Sequence, residues 1–180
     1  EVVDMNVGAT QGWASTAFRS EPGLKLETLS LPPEMVASRL SGGGTELVSK
    51  LREYRHLALW VAAVRAESLR EIRAGLLGQP VVRYSLDRAD MERMRHGLAL
   101  VARTHFAAGA KRVIPGVYGL PYSLGPQEVG LLAEGPLDPR AYVGVISHLF
   151  GGCVMGTDPA RSVVDDRGRV HGFEGLVVCD

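Results

Sequence analysis

The chain has 180 residues, of which 46% are hydrophobic and 22% charged, and its 20 basic side chains balance 20 acidic ones. That balance supplies no basic stripe for nucleic acid, and no run of about 18 apolar residues suggests a membrane span. A chain of this length can bury about 70% of its unfolded surface, so one globular domain is the default. Two cysteines, Cys153 and Cys179, make no disulfide framework. With no signal peptide in view, a reducing cytoplasm is the expected home.

Residues 1–22 show no clear period. LKLETLSL, Leu24 to Leu31, alternates apolar and polar residues and predicts a half-buried strand. Pro32 and Pro33 stop it, and a short helix with proline at its start follows. After the Gly42–Gly44 joint, Thr45 is the expected N-cap of a helix with Leu47, Val48 and Leu51 on one face. The apolar stretch from His56 to Ser68 is read as a strand on Trp60, Val61 and Val64, although its alanines favour helix. LREIRAG and GQPVVRYSL predict two strands joined by a Gly-rich turn.

Asp87 opens the clearest helix, with Met91, Met94, Leu98, Val101 and Phe106 near a 3.6 period and Gly109 at its end. Its arginines (Arg88, Arg93, Arg95, Arg103) alternate with Asp87, Asp90 and Glu92, which predicts a solvated face instead of an anion site. His96 and His105 lie on roughly opposite sides of this helix and cannot share a ligand; a solvated His96 and a half-buried His105 are expected. KRVI predicts a strand, then a long apolar Pro/Gly loop, Val113 to Pro126, and a short helix over Gln127–Glu134. Tyr118 and Tyr122 on that loop are candidates for a substrate entrance, with ordinary packing as the alternative. The strands and helices lack regular βαβ alternation, so the expected fold class is α+β.

The tail, VISHLFGGCVMGTDPARSVVDDRGRVHGFEGLVVCD, holds the chemistry. His148 precedes Gly151 and Gly152, whose lack of a side chain suits a tight turn, a bulge, or close approach of backbone to a flat group. Cys153 is expected to be a small buried hydrophobe. A His148/Cys153 metal pair lacks two further ligands at a recognisable spacing, so no metal is expected. His171 reads as a hydrogen-bonded turn residue. Leu176 to Cys179 predicts an apolar strand, cut off at Asp180. Both chain ends read as cuts in a longer polypeptide.

The order His, Gly-Gly-Cys, Met-Gly, V-V-D, R-V-x-G, G-L and a final Asp resembles the C-terminal domain of the glucose–methanol–choline oxidoreductases, flavoenzymes that oxidise alcohols. The H-x-x-G-G-C form is nearest to the cholesterol-oxidase-like branch. The family's D-x-S-x-x-P segment is interrupted here after Asp180.

The resemblance implies a mostly antiparallel sheet with helices on one face. It implies a substrate-binding part over residues 1–144 and a His-motif part over residues 145–180. It also implies FAD as cofactor, His148 as the base that accepts the alcohol proton, and Gly151, Gly152 and Asp180 near the flavin. The partner of His148 falls beyond Asp180. No G-x-G-x-x-G follows a strand in this sequence, so the flavin-binding part is expected in a preceding segment of the same polypeptide. The apolar loops favour a hydrophobic alcohol. The competing expectations are a binding module that keeps the fold without activity and a truncated piece without stable function.

Overall fold

The computed structural model describes residues 2–5, 12–68, 71–145 and 151–178. It divides into two compact units, Glu1–Val143 and Gly144–Asp180.

In the first unit β1 (Ala14–Ser15), β2 (Leu24–Leu29) and β3 (Leu59–Val64) form an antiparallel sheet in the order β1-β2-β3. The alternation in LKLETL works as expected: Leu24 and Leu26 point inward and are buried. The stretch from His56 splits into a 3-10 turn (Tyr54–His56) and then β3, which pairs with β2 along its full length. Strand wins over helix here because β2 offers a complete hydrogen-bonding edge.

Between β2 and β3 lie α1 (Pro33–Ala37) and α2 (Gly44–Leu51). Thr45 does not cap α2. The chain enters the helix through Gly43, with Gly42 and Gly44 at φ 97° and 58°. The Glu46 carboxylate folds back onto Gly42, where a Cβ would meet its carboxyl carbon at 2.7 Å. A small core of Met5, Val36 and Tyr54 closes this end, with the Tyr54 hydroxyl donating to the Leu31 carbonyl at 2.5 Å.

A hairpin of β4 (Glu71–Ala74) and β5 (Pro80–Arg83) follows, paired from Glu71↔Arg83 to Ala74↔Pro80. Its Ile72, Leu76, Leu77 and Val82 are exposed.

The long helix α3 (Arg88–Ala107) begins at Asp87, whose carboxylate accepts from the Asp90 N–H, and is followed by Gly109 at φ 92°. It packs on β2 and β3 through small residues. A Cβ on Gly97 would stand 2.7 Å from Ala62 Cβ and 3.2 Å from a Leu24 methyl. Met91 and Val101 are buried as the period predicts, while Leu98 and Phe106 pack at the margin of a core formed by Ala99, Ala102, Leu124, Val129 and Leu132. His96 is exposed and His105 half-buried.

After α3 the expected KRVI strand is reduced to one pairing, Val113↔Leu124, because Pro115 lacks an N–H and Gly116 turns the chain at φ 63°. That pairing buries Leu124 completely. The expected helix over 127–134 separates into a 3-10 turn (Pro126–Glu128) and α4 (Gly130–Ala133). Helices beside antiparallel sheets make the fold α+β.

The expected solvated face of α3 needs correction at one point. Asp90 is 0% exposed. Its carboxylate accepts hydrogen bonds from the backbone N–H of Glu67 (3.1 Å) and Ser68 (3.0 Å), from the Ser68 hydroxyl, and from Arg93 Nη2 (2.5 Å). Alternating charge signs describe the composition of a helix face; they do not reveal that a neighbouring chain segment sits on one of its carboxylates.

Candidate functional site

In the second unit, the described residues 151–178 are held by short backbone pairings: Met155↔Val164 parallel, Val164↔Val170 and Arg169↔Val177 antiparallel. Val164 is at their centre and is buried. Asp165 builds the next turn, accepting from the backbone N–H of Arg167 and Arg169 (each 2.9 Å) and from Arg169 Nε (2.7 Å). The Arg169 guanidinium foremost, and the backbone N–H groups with it, hold the Asp165 carboxyl at a pKa of about 2. Gly168, at φ 73°, closes the turn so tightly that a Cβ would lie 2.5 Å from the Val178 carbonyl. An open hollow of about 440 Å³ is lined by Asp165, Arg169, His171, Phe173, Leu176 and Val177.

Gly151 stands at φ 88°, and among the described residues nothing lies within 4 Å of a Cβ at Gly151 or Gly152. The backbone there is uncovered. Cys153, expected to be buried, is exposed. Among the described residues, bends at 151–153 and the turns after them supply no helix face or sheet layer to enclose the thiol. The expected strand over Leu176–Cys179 shows a single bridge, at Val177, and Leu176 and Val177 are about half exposed. His148 and Asp180 lie outside the described residues, as does Cys179.

His171 is held as a hydrogen-bonded turn residue: its Nε2 is 3.0 Å from the Gly156 carbonyl and 3.1 Å from Ser162 Oγ. In the sequence Gly156 stands out only as the glycine of the Met-Gly motif, and Ser162 carries no signal beyond its place in GTDPARS.

Tyr118 and Tyr122, both in the first unit, have different surroundings. The Tyr118 backbone is tied by its N–H to the Ala141 carbonyl (2.7 Å), while the residue as a whole is 86% exposed. Tyr122 is 36% exposed and lies beneath Lys50, whose Nζ is 3.9 Å from the ring centroid. Lys50 also donates to Glu46 and to the Ser41 carbonyl, each at 2.6 Å, which ties α2 to the loop.

The family model for the GMC oxidoreductase, in its C-terminal part, matches residues 71–180. The chain belongs to the GMC oxidoreductase family. It is similar to an uncharacterized GMC-type oxidoreductase of Mycobacterium tuberculosis, 31% identical over 175 residues that cover 96% of this chain and 27% of the relative. A long-chain-alcohol oxidase of Arabidopsis thaliana is 29% identical over 176 residues, 88% of this chain and 22% of its own length. A 6'''-hydroxyparomomycin C oxidase of Streptomyces lividus is 32% identical over 100 residues, 56% of this chain and 14% of its own. The chain thus spans about a quarter or less of the length of these relatives. No solved structure gives a significant match.

The GMC family is one of flavoprotein oxidoreductases, and the residues described here fit only part of a flavin dinucleotide. The uncovered Gly151–Gly152 backbone can lie against a flat ring. A helix N-terminus is a ready site for a pyrophosphate, and that of α3 is already capped by the Asp87 carboxylate. Among the described residues no group of three or more His, Cys, Asp or Glu could hold a metal ion. Among them, too, no helix is long and apolar enough to cross a membrane.

Proposed function

We propose that this chain is the substrate-side part of an FAD-dependent oxidoreductase acting on a hydrophobic alcohol, with the flavin-binding part in a preceding segment of the same polypeptide. The observation that carries the proposal is the H-x-x-G-G-C spacing of His148, Gly151, Gly152 and Cys153 inside the family-matched region, together with the uncovered backbone at both glycines. The similarity to a long-chain-alcohol oxidase supports the apolar substrate.

Residues 1–144 carry the substrate side, with Tyr118 and Tyr122 at its entrance. Residues 145–180 carry the base, with Gly151, Gly152 and Asp180 toward the flavin. A neutral imidazole titrates close to the working pH and takes a hydroxyl proton readily, so His148 accepts the proton as the alcohol becomes a carbonyl. The flavin, when bound, supplies the acceptor for the hydride leaving the alcohol carbon. A free, exposed Cys153 suits a reducing compartment such as the cytoplasm.

The test is His148→Ala in the full-length protein. Alcohol turnover should fall by about 10²–10⁴-fold while flavin content holds. Turnover near that of the unaltered enzyme rejects the base assignment, and a full-length protein that binds FAD and alcohol without turnover favours a binding module.

A further inference from the structure

We propose that His171 and Ser162 are positioning residues for this site. The His171 imidazole donates to the Gly156 carbonyl, and Ser162 ties that imidazole to the Asp158 carbonyl; the two so set the path of the GGCVMG run that follows His148. The inference rests on the function proposed above.

Three short segments meet here. The Val163 N–H donates to the Val154 carbonyl (2.8 Å), the Gly156 N–H to the Val164 carbonyl (2.9 Å), and the His171 N–H to the Val163 carbonyl (3.0 Å). The backbone ladder therefore brings residues 154–156, 162–164 and 170–171 side by side, with the side chains of Ser162 and His171 gathered at Gly156. A Cβ on Gly156 would stand 3.1 Å from Ser162 Cβ and 3.3 Å from its Oγ, so the glycine allows the serine to approach.

The hydrogen bonds define the roles. A carbonyl cannot donate, so the imidazole nitrogen 3.0 Å from the Gly156 oxygen carries the hydrogen and donates it. Ser162 Oγ, 3.1 Å from that nitrogen, shares the same hydrogen. The Ser162 hydroxyl donates to the Asp158 carbonyl at 2.6 Å and lies 3.0 Å from the Gly156 oxygen.

With Nε2–H given to the Gly156 carbonyl, the pair acts as a clamp and not as a Ser–His nucleophile. What the clamp controls is geometry. Gly156 ends the run that begins at Gly151, and Gly151 follows His148 by three residues. Small misplacements of a reacting group reduce turnover steeply without weakening substrate binding to the same degree.

The experiment uses the full-length flavoprotein and a long-chain primary alcohol such as dodecanol. It compares His171→Ala, His171→Gln, Ser162→Ala and, as a control, His148→Ala. The measurements are kcat and KM per bound FAD. His171→Ala should lower kcat by about 10–100-fold with KM within about twofold. His171→Gln places an amide N–H within reach of the same carbonyl and should recover most of that loss. Ser162→Ala should lower kcat several-fold.

A wild-type kcat per flavin in His171→Ala, or a Gln variant no better than the Ala variant, overturns the proposal. Should His171→Ala not fold, Ser162→Ala decides, and a wild-type kcat there overturns it equally. An inactive His148→Ala beside a normal His171→Ala removes the clamp alone. An active His148→Ala removes the base assignment, and the His171 variants then judge the clamp separately.

Discussion

Asp90 and Arg93, one turn apart on α3, form an ion pair at 2.5 Å in which the Asp90 side chain is fully buried and the Arg93 side chain is 21% exposed. The same carboxylate caps the chain segment at Glu67 and Ser68, so one side chain fastens the end of β3 to the start of the helix. Asp90→Asn would turn amide hydrogens toward groups that themselves donate. A loss of about 2–3 kcal/mol is expected, below the cost of a fully stranded charge because Arg93 keeps Glu67 at 3.5 Å. Urea unfolding of the two proteins at neutral pH measures it.

The pH dependence of this network has a definite sign. Burial by itself raises the Asp90 pKa, but the hydrogen bonds from Ser68, Arg93 and the Glu67 and Ser68 backbone outweigh it and leave the pKa below 3.8. The contribution is therefore complete above the unfolded value and disappears as pH falls through the lower folded one. Unfolding midpoints followed from pH 5 downward should drop more steeply for the wild type than for Asp90→Asn; parallel curves would contradict the assignment.

His105 behaves with the opposite chemistry and the same direction. Its burial disfavours the imidazolium and lowers its pKa below 6.5, and its ring meets Trp60 edge-on at 6.4 Å between centroids. The unfolded chain takes up this proton first as pH falls, so stability declines from about 6.5 down to the folded value. His105→Phe keeps an aromatic ring against Trp60 and should lose less stability than the wild type between pH 7.5 and 5.5, as read from thermal unfolding.

Gly97→Ala sets two effects against each other. Alanine favours the helix by about 1 kcal/mol, whereas its methyl would meet Ala62 Cβ at 2.7 Å in a packed layer. Overpacking of this kind costs about 1–3 kcal/mol, so a net loss of about 0–2 kcal/mol is expected from urea unfolding. A stabilised variant would show that α3 can move away from the sheet.

The chain of 180 residues by itself should show no saturable quenching when FAD is titrated by fluorescence, and no alcohol oxidation. No G-x-G-x-x-G turn follows a strand in this sequence to hold the pyrophosphate, and the N-terminus of α3 is already capped by Asp87. Tight stoichiometric binding would place a complete dinucleotide site within this chain.

Tyr118→Ala in the full-length protein tests the entrance assignment. Loss of one aromatic contact of about 1 kcal/mol raises KM for a long-chain alcohol roughly fivefold with little change in kcat. An unchanged KM would leave the exposed ring without a part in substrate binding.

Much of the fold was legible because it follows from local chemistry. The alternation of LKLETL set β2, Asp87 set the start of α3, and the Gly-rich turn set the β4–β5 hairpin. The family was legible in the tail, where several short motifs stand in order. Other expectations misled: Thr45 was bypassed by glycines that let the helix begin earlier, the KRVI strand is cut short by Pro115 and Gly116, the Leu176–Cys179 strand keeps one bridge among its described residues, and Cys153 is exposed.

What the residues of the chain determined by themselves was periodicity, turn chemistry and the motif order that marks a GMC oxidoreductase. What only the tertiary structure decided was which polar groups meet across distant segments. Asp90 became the most buried carboxylate because Glu67 and Ser68, more than twenty residues earlier, close over it. Gly97 became a packing contact because Ala62 lies opposite, and Ser162 and His171 met at Gly156 because Val164 pairs with both Met155 and Val170. The reason is physical. Secondary structure follows from interactions between residues a few positions apart, whereas the surroundings of a buried charge or a shared carbonyl depend on chain segments that periodicity does not relate.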